Sequence, residues 1–253
     1  MTMRKLIYSP SGRAGEYAAK GYAANLYKGC THGCLYCYVP LFLKMSPEQK
    51  KQFSSKVTPA PDVLPRLQAD VKRMGKLESP IFLCFTCDPY PEEDLLALHT
   101  RDAINVIMDA GNAVNILTKA GTRACVDFDL LAMDKRNKIG ATLTFFDDAL
   151  SKKWEPRASL PKNRIDMLRR AKDEGIATWA SIEPVIIPDQ SLEIMEAAAP
   201  YVDEFKIGKW NHSYDAKKID WRKFYMDAVL LMNYHEKKHV IKQDLLTAAE
   251  AQE

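Results

Sequence analysis

Short apolar, strand-like runs recur along this chain at 81–86 (IFLCFT), 113–118 (AVNILT), 141–146 (ATLTFF), 176–182 (IATWASI) and 203–207 (DEFKI). They start about 30 residues apart, which is the length of one βα unit. Helical patterns lie between them. Val63, Leu67, Val71 and Met74 share one face, and Leu96, Ile104, Ile107 and Met108 mark a second helix. Ile165, Leu168 and Ala171 mark a third helix, opened by Pro161, and Leu192, Met195 and Ala199 a short fourth before Pro200. Gly75, Gly111 and Gly175 stand where helices would stop. With a first strand through 21–27, the chain holds six β-then-α units, so a parallel sheet is expected, either open or curved into a partial barrel. The core is expected over residues 1–218. A C-terminal helical extension over 219–253 would open with an amphipathic helix that runs to about residue 236 (Trp221, Phe224, Tyr225, Ala228, Leu231).

In such folds chemistry gathers at the C-terminal ends of the strands. The segment NLYKGCTHGCLYCYVP (25–40), just past the first strand, carries Cys30, Cys34 and Cys37. Three thiols suit neither a disulfide pair nor a four-ligand structural zinc. They fit a [4Fe–4S] cluster with one iron left open for a second ligand. Zinc completed by His32, and a purely structural or reactive thiol group, are the other readings. Later strands deliver TCDPYP (86–91), TKAG (118–121), SIEPVIIP (181–188) and KIGKWNH (206–212) to the same rim.

The six cysteines are clustered rather than spread as a disulfide framework, which favours metal or redox chemistry in a reducing compartment. No run of about 18 apolar residues predicts a membrane span. The opening MTMRKLIYSPSGR has no apolar stretch of the secretory kind, so a cytoplasmic location is expected. Net charge is only +3, and nothing in composition alone marks a nucleic-acid binder.

The C-x₃-C-x₂-C triplet, with Tyr36 before its last cysteine, resembles the signature of radical S-adenosylmethionine (radical SAM) enzymes. The resemblance implies a partial (β/α)₆ TIM-like barrel. It also implies a [4Fe–4S] cluster on Cys30, Cys34 and Cys37, and S-adenosyl-L-methionine on the open iron. One electron would cleave that cofactor to methionine and a 5′-deoxyadenosyl radical. GCTHGCLYCYVP, TCDPYP, ILTKAGTRACVDFDLL and WEPRASLPKNRIDMLRRAKDEGI are similar to the branch around spore photoproduct lyase, which reverses a thymine–thymine crosslink in DNA.

By that resemblance Tyr36 flanks the adenine, Asp88 meets the methionine amino group and Lys119 meets its carboxylate or the ribose. Thr142 or Thr144 would hydrogen-bond the ribose. The branch places a hydrogen-donating cysteine at the position of Phe85; Cys87, two residues on, is the candidate catalytic donor here. Each has a plainer reading: core packing for Tyr36 and Cys87, an Asp-Pro turn for Asp88, a solvated loop for Lys119, ordinary strand threonines. Glu155 and Arg157 are expected to clamp a carboxylate or each other, or to form a surface ion pair, and Glu183 and Lys209 to face substrate from the rim. Cys84 and Cys125 are expected in the core.

The implied activity is a lyase or isomerase acting on a nucleobase or modified thymine in DNA. The basic residues Lys162, Arg164, Arg169, Arg170 and Lys172 are candidates for phosphate contacts, and flavodoxin or ferredoxin is the expected electron donor. Radical modification of a peptide or small metabolite is the alternative enzyme, and an iron–sulfur or zinc protein without catalysis the alternative class.

Overall fold

The computed structural model describes residues 5–18, 21–94 and 98–252; Leu96 of the second expected helix lies outside them. Its strands are β1 (Ile7–Tyr8), β2 (Ala23–Ala24), β3 (Tyr27–Lys28), β4 (Thr58–Pro59), β5 (Ile81–Leu83), β6 (Val114–Thr118), β7 (Lys138–Thr142), β8 (Ala177–Ile182), β9 (Glu204–Ile207) and β10 (Lys238–Ile241). The main sheet runs β1-β2-β5-β6-β7-β8-β9-β10. Every neighbouring pair from β2 onward is parallel, and β1 is antiparallel to β2 at one edge. β3 and β4 form a separate antiparallel pair, so the first expected strand is split in two.

Sequential order with helical crossovers is what a winding barrel requires, and the lumen contacts show the curl. Phe82 on β5 and Trp179 on β8 lie three strand spacings apart, about 14 Å on a flat sheet. Their ring centroids are 6.1 Å apart. The sheet is therefore a partial TIM-like barrel. Alternation then assigns the faces. Ile81, Leu83, Val114, Ile116, Ile139, Ala141, Ala180, Ile182, Phe205 and Ile207 pack outward under the helices in the main core. Phe82 and Trp179 belong to a separate lumen cluster, joined by Tyr17 from the helix Gly12–Tyr17.

Helices Val63–Met74, His99–Asp109, Pro161–Asp173 and Pro188–Ala198 cover the outer face. Gly75, Gly111 and Gly175 end their helices with positive φ, as the sequence signals. β7 lies a few residues earlier than the expected 141–146 strand. Its second half, Leu143 to Phe145, leaves the ladder after one bond from Leu143 N–H to the Ser181 carbonyl. The C-terminal helix Trp221–Tyr234 is followed by β10, which adds a seventh parallel strand, and by a last helix, Gln243–Glu250. No helix among the described residues is long and apolar enough to cross a membrane.

Candidate active site

One cavity of about 890 Å³ opens at the C-terminal ends of the strands. Cys30, Cys34, Cys37, Tyr36, Cys87, Asp88, Lys119 and Thr142 all line it. Strand parity explains the selection. Leu117 and Lys119, Gly140 and Thr142, and Trp179, Ser181 and Glu183 occupy lumen-facing positions of β6, β7 and β8 or of their direct continuations.

Three supports hold the cysteine loop. The helix Pro47–Ser55 begins with a capping box, in which Ser46 and Gln49 satisfy each other's backbone N–H groups. Its far end turns its carbonyls to the loop. The Phe53 carbonyl accepts from Cys30 N–H at 2.9 Å, and that of Ser54 accepts from Arg157 Nη2. Gly29, at φ +87°, lets the loop pass the Lys56 carbonyl, which a Cβ there would meet at 2.0 Å. The turn 154–157 is the second support. The Trp154 carbonyl accepts from Leu35 N–H at 2.8 Å, Arg157 N–H donates to the His32 carbonyl at 3.2 Å, and Arg157 Nε donates to that of Thr31. Asp88 is the third, with Oδ2 at 3.5 Å from His32 Nδ1.

Glu155 and Arg157 do not pair with each other or lie together on the surface. Glu155 is buried, and its Oε2 accepts from Arg164 Nη2 at 2.6 Å and from Ser151 Oγ at 3.3 Å. Its Oε1 accepts from the Tyr36 hydroxyl. Arg164 is 1% exposed and also donates to the carbonyls of Ser159 at 2.8 Å and Thr142 at 3.0 Å. Thus Tyr36 is anchored between Cys34 and Cys37 by a buried ion pair that reaches back to β7. Burial raises the Glu155 carboxyl, but Arg164 chiefly, then Lys119, outweighs it and holds the group below its ordinary value. Burial, with Glu155 beside it, keeps the Tyr36 phenol protonated.

Asp88 is largely committed to the fold. Its Oδ1 accepts from Tyr90 N–H at 2.9 Å and Thr118 Oγ1 at 2.7 Å, and its Oδ2 from Lys119 N–H at 2.8 Å. Lys119 Nζ lies 5.6 Å from the Tyr36 ring centre. Thr142 and Thr144 differ: Thr142 lines the cavity, whereas Thr144 is fully buried behind Tyr36, its Oγ1 3.4 Å from the hydroxyl. Cys87 shares the cavity wall with Cys84, which is also buried in the main core as the sequence suggests. Burial, then the neighbouring Cys84, raises the Cys87 thiol. Burial pushes Cys30 up to about 12 and raises Cys34 and Cys37.

Among the described residues, no three histidine, cysteine, aspartate or glutamate side chains converge as ligands of a single ion would. The three thiols share a wall rather than a point, which suits a cluster in which each thiolate takes its own iron. His32 Nδ1 is turned to Asp88, and its buried Nε2 has no hydrogen-bond partner among the described residues. Sequence reasoning missed Tyr17 and Lys242, which line the other end of the cavity with Ser181 and Asn211 of the rim segments SIEPVIIP and KIGKWNH. It also offered Arg164 for phosphate contacts, although the residue sits on the buried helix face of Met167, Leu168 and Ala171.

The sequence model described as "Radical SAM superfamily" matches residues 24–200. An uncharacterised protein of Methanocaldococcus jannaschii is 32% identical over 169 residues, covering 66% of this chain and 61% of that protein. An uncharacterised protein of Acidianus two-tailed virus is 26% identical over 198 residues, covering 75% and 64%. The chain thus spans less than two thirds of the length of these relatives. Among solved structures it is similar to Streptococcus suis SuiB bound to S-adenosylmethionine (TM-score 0.62, 14% identity, 89% of this chain and 51% of that one). SuiB bound to precursor peptide SuiA gives 0.64, 15%, 90% and 50%. Spore photoproduct lyase complexed with dinucleoside spore photoproduct gives 0.60, 16%, 88% and 63%. At these identities the likenesses concern the fold.

Proposed function

We propose that this chain, which belongs to the radical SAM superfamily, is a radical SAM enzyme acting on a nucleobase, with modified thymine in DNA as the favoured substrate. Its family uses a [4Fe–4S] cluster and S-adenosylmethionine. Bound together, these supply a 5′-deoxyadenosyl radical that abstracts a hydrogen atom from substrate. The observation that carries the reading is that Cys30, Cys34 and Cys37 share one cavity with Tyr36, Lys119 and Thr142 and with a second polar wall beyond them.

In this reading Cys30, Cys34 and Cys37 hold the cluster. Tyr36, fixed by Glu155, packs against the adenine, and Lys119 reaches the carboxylate or ribose. Thr142 hydrogen-bonds the ribose, and Thr144 keeps the Tyr36 hydroxyl in place. Asp88 orients Lys119 through its backbone, and Oδ2 keeps capacity for an ammonium group. Cys87, held as a thiol, is placed to return a hydrogen atom to a substrate radical. Lyase or isomerase chemistry is the proposed outcome, with flavodoxin or ferredoxin as electron donor.

A peptide or small metabolite is the second reading, and one observation favours it. The basic helix residues expected to meet phosphates are largely neutralised. Arg164 is buried on Glu155, Arg169 and Arg170 pair with Asp166, and Lys172 pairs with Asp203.

The test uses anaerobically reconstituted, reduced protein. 5′-Deoxyadenosine and methionine are expected from S-adenosylmethionine; S-adenosylhomocysteine would point to methyl transfer and sink the mechanism. Deuterium should then move into 5′-deoxyadenosine from labelled thymine in DNA. Transfer from a labelled peptide or metabolite instead would remove the nucleobase while leaving the radical chemistry.

A further inference from the structure

Beyond the cysteine loop the cavity ends in a second wall that the family's shared segment does not complete. Glu183 continues the inward parity of β8, while Tyr17, Lys209, Asn211 and Lys242 all lie outside residues 24–200. Lys242 sits at the junction of β10 and the last helix. Its backbone N–H is fixed on the Ile207 carbonyl at 2.9 Å, and the residue is 2% exposed. Its ammonium donates to Glu183 Oε2 at 2.8 Å and lies 3.5 Å from the Tyr17 ring centre. The Tyr17 hydroxyl donates to the same Glu183 oxygen at 2.6 Å. Among the described residues, Glu183 Oε1 has only Asn211 Nδ2, at 3.3 Å. Gly208 makes the approach possible, because a Cβ there would stand 2.8 Å from Lys242 Cδ and 3.0 Å from Glu183 Cδ.

The Glu183–Lys242 pair is itself charge-balanced, and Lys209 adds one further ammonium to the wall. What it offers is an acceptor, Glu183 Oε1, beside a donor, the remaining ammonium hydrogen of Lys242. Aromatic side chains Tyr17, Phe85 and Trp210 line the same cavity. A neutral flat ring with N–H next to C=O on one edge matches that wall. A trans peptide bond does not, because its N–H and C=O point in opposite directions. Cytosine does not either, because its Watson–Crick edge presents a bare ring nitrogen where this wall requires N–H.

We propose that Glu183 and Lys242 form a clamp for the imide edge of a thymine or uracil base. Glu183 accepts from the ring N3–H and Lys242 donates to the adjacent carbonyl, with Tyr17 holding both side chains. This rests on reading the cavity as a radical SAM substrate chamber. It names the ring edge and the residues that would select it; guanine carries the same N–H beside C=O, and the choice of thymine or uracil comes from that reading.

The test is binding without turnover. Holoprotein with cluster and S-adenosylmethionine, but no reductant, is titrated by fluorescence anisotropy into a labelled pentanucleotide carrying one thymine among abasic positions. Replacing that base with N3-methylthymine or cytosine should weaken binding about ten-fold or more, the discrimination of a bidentate base contact. The neutral double variant Glu183→Leu/Lys242→Met should bind thymine and N3-methylthymine alike. Equal binding of the two by the wild type would overturn the clamp, whether or not the variant folds. So would absence of thymine binding, or equal competition by an acyclic peptide amide. Whether reduced wild type forms 5′-deoxyadenosine is scored separately, so loss of the clamp and loss of the radical reading are distinct results.

Discussion

Arg164→Met tests whether the buried ion pair behind the cysteine loop governs both stability and cluster loading. The substitution keeps most of the apolar stem and removes a guanidinium that is 1% exposed and donates to Glu155, Ser159 and Thr142. Removing one partner of a buried pair typically costs about 3–5 kcal/mol, because the other charge stays behind unpaired. The two orphaned carbonyls belong to the same loss and are not added to it. A cost near 4 kcal/mol, with a urea slope of about 3 kcal/mol per molar, moves the midpoint down by about 1.3 M. The assay is urea unfolding of the apoprotein under reducing conditions, with iron content after reconstitution as the second readout. Iron should fall too, because Glu155 also anchors Tyr36 inside the C-x₃-C-x₂-C loop. Adding Glu155→Gln should recover at least half of the stability, since it removes the stranded charge. A single variant whose midpoint drops by less than about 0.3 M, roughly 1 kcal/mol on that slope, would refute the reasoning. The pair would then be as well served by solvent as by its partner.

Cys30→Ala, Cys34→Ala and Cys37→Ala should each lose cluster iron, measured by absorbance near 400 nm and iron assay, while Cys84→Ala and Cys125→Ala keep it; about four irons per chain in Cys37→Ala would overturn the ligand assignment. Gly29→Ala forces a side chain into a positive-φ site facing the Lys56 carbonyl, and should cost at least about 2 kcal/mol in urea unfolding as well as iron. Lys119→Met should weaken S-adenosylmethionine binding by about 1–3 kcal/mol in equilibrium dialysis, the worth of a charge-assisted bond; unchanged affinity would return Lys119 to a positioning part. The stability difference between wild type and Arg164→Met should depend on pH with a definite sign. The Glu155 carboxyl is held below its ordinary 4.5 in the folded state, so its contribution is complete above that value and disappears as pH falls through the lower folded value. Urea midpoints that converged on raising the pH instead would contradict it.

How much of this was legible in the sequence depends on whether a residue's role is set by its neighbours in the chain or by neighbours in space. The strand rhythm, the cysteine triplet and the helix-ending glycines are local patterns, and they correspond to strands, a loop and helix ends within a few residues. β10 was missed because Lys-His-Val-Ile is short and half polar, and it becomes a strand only because β9 offers an unpaired parallel edge. Arg164 was misread for a different reason. Its register with Met167, Leu168 and Ala171 was visible, but an arginine on an apolar face is expected to snorkel unless a buried carboxylate waits for it. That carboxylate, Glu155, is nine residues away across a turn. Lys242 and Tyr17 stand 225 residues apart and meet only because the barrel curls. Their convergence depends on closure, on the parity that turns Glu183 inward, and on the missing side chain at Gly208. The chemistry shared by a family was therefore written locally, in one loop. The selection of its substrate, on the reading proposed here, was written in long-range contacts that no spacing rule can see. If so, Gly208→Ala should disturb base discrimination in the anisotropy assay while leaving the iron content of the reconstituted protein at the wild-type level, because the atoms nearest a Cβ at 208 belong to Lys242 and Glu183; a parallel loss of both would mean that the two ends of the cavity are one folding unit and not a separable cofactor end and substrate end.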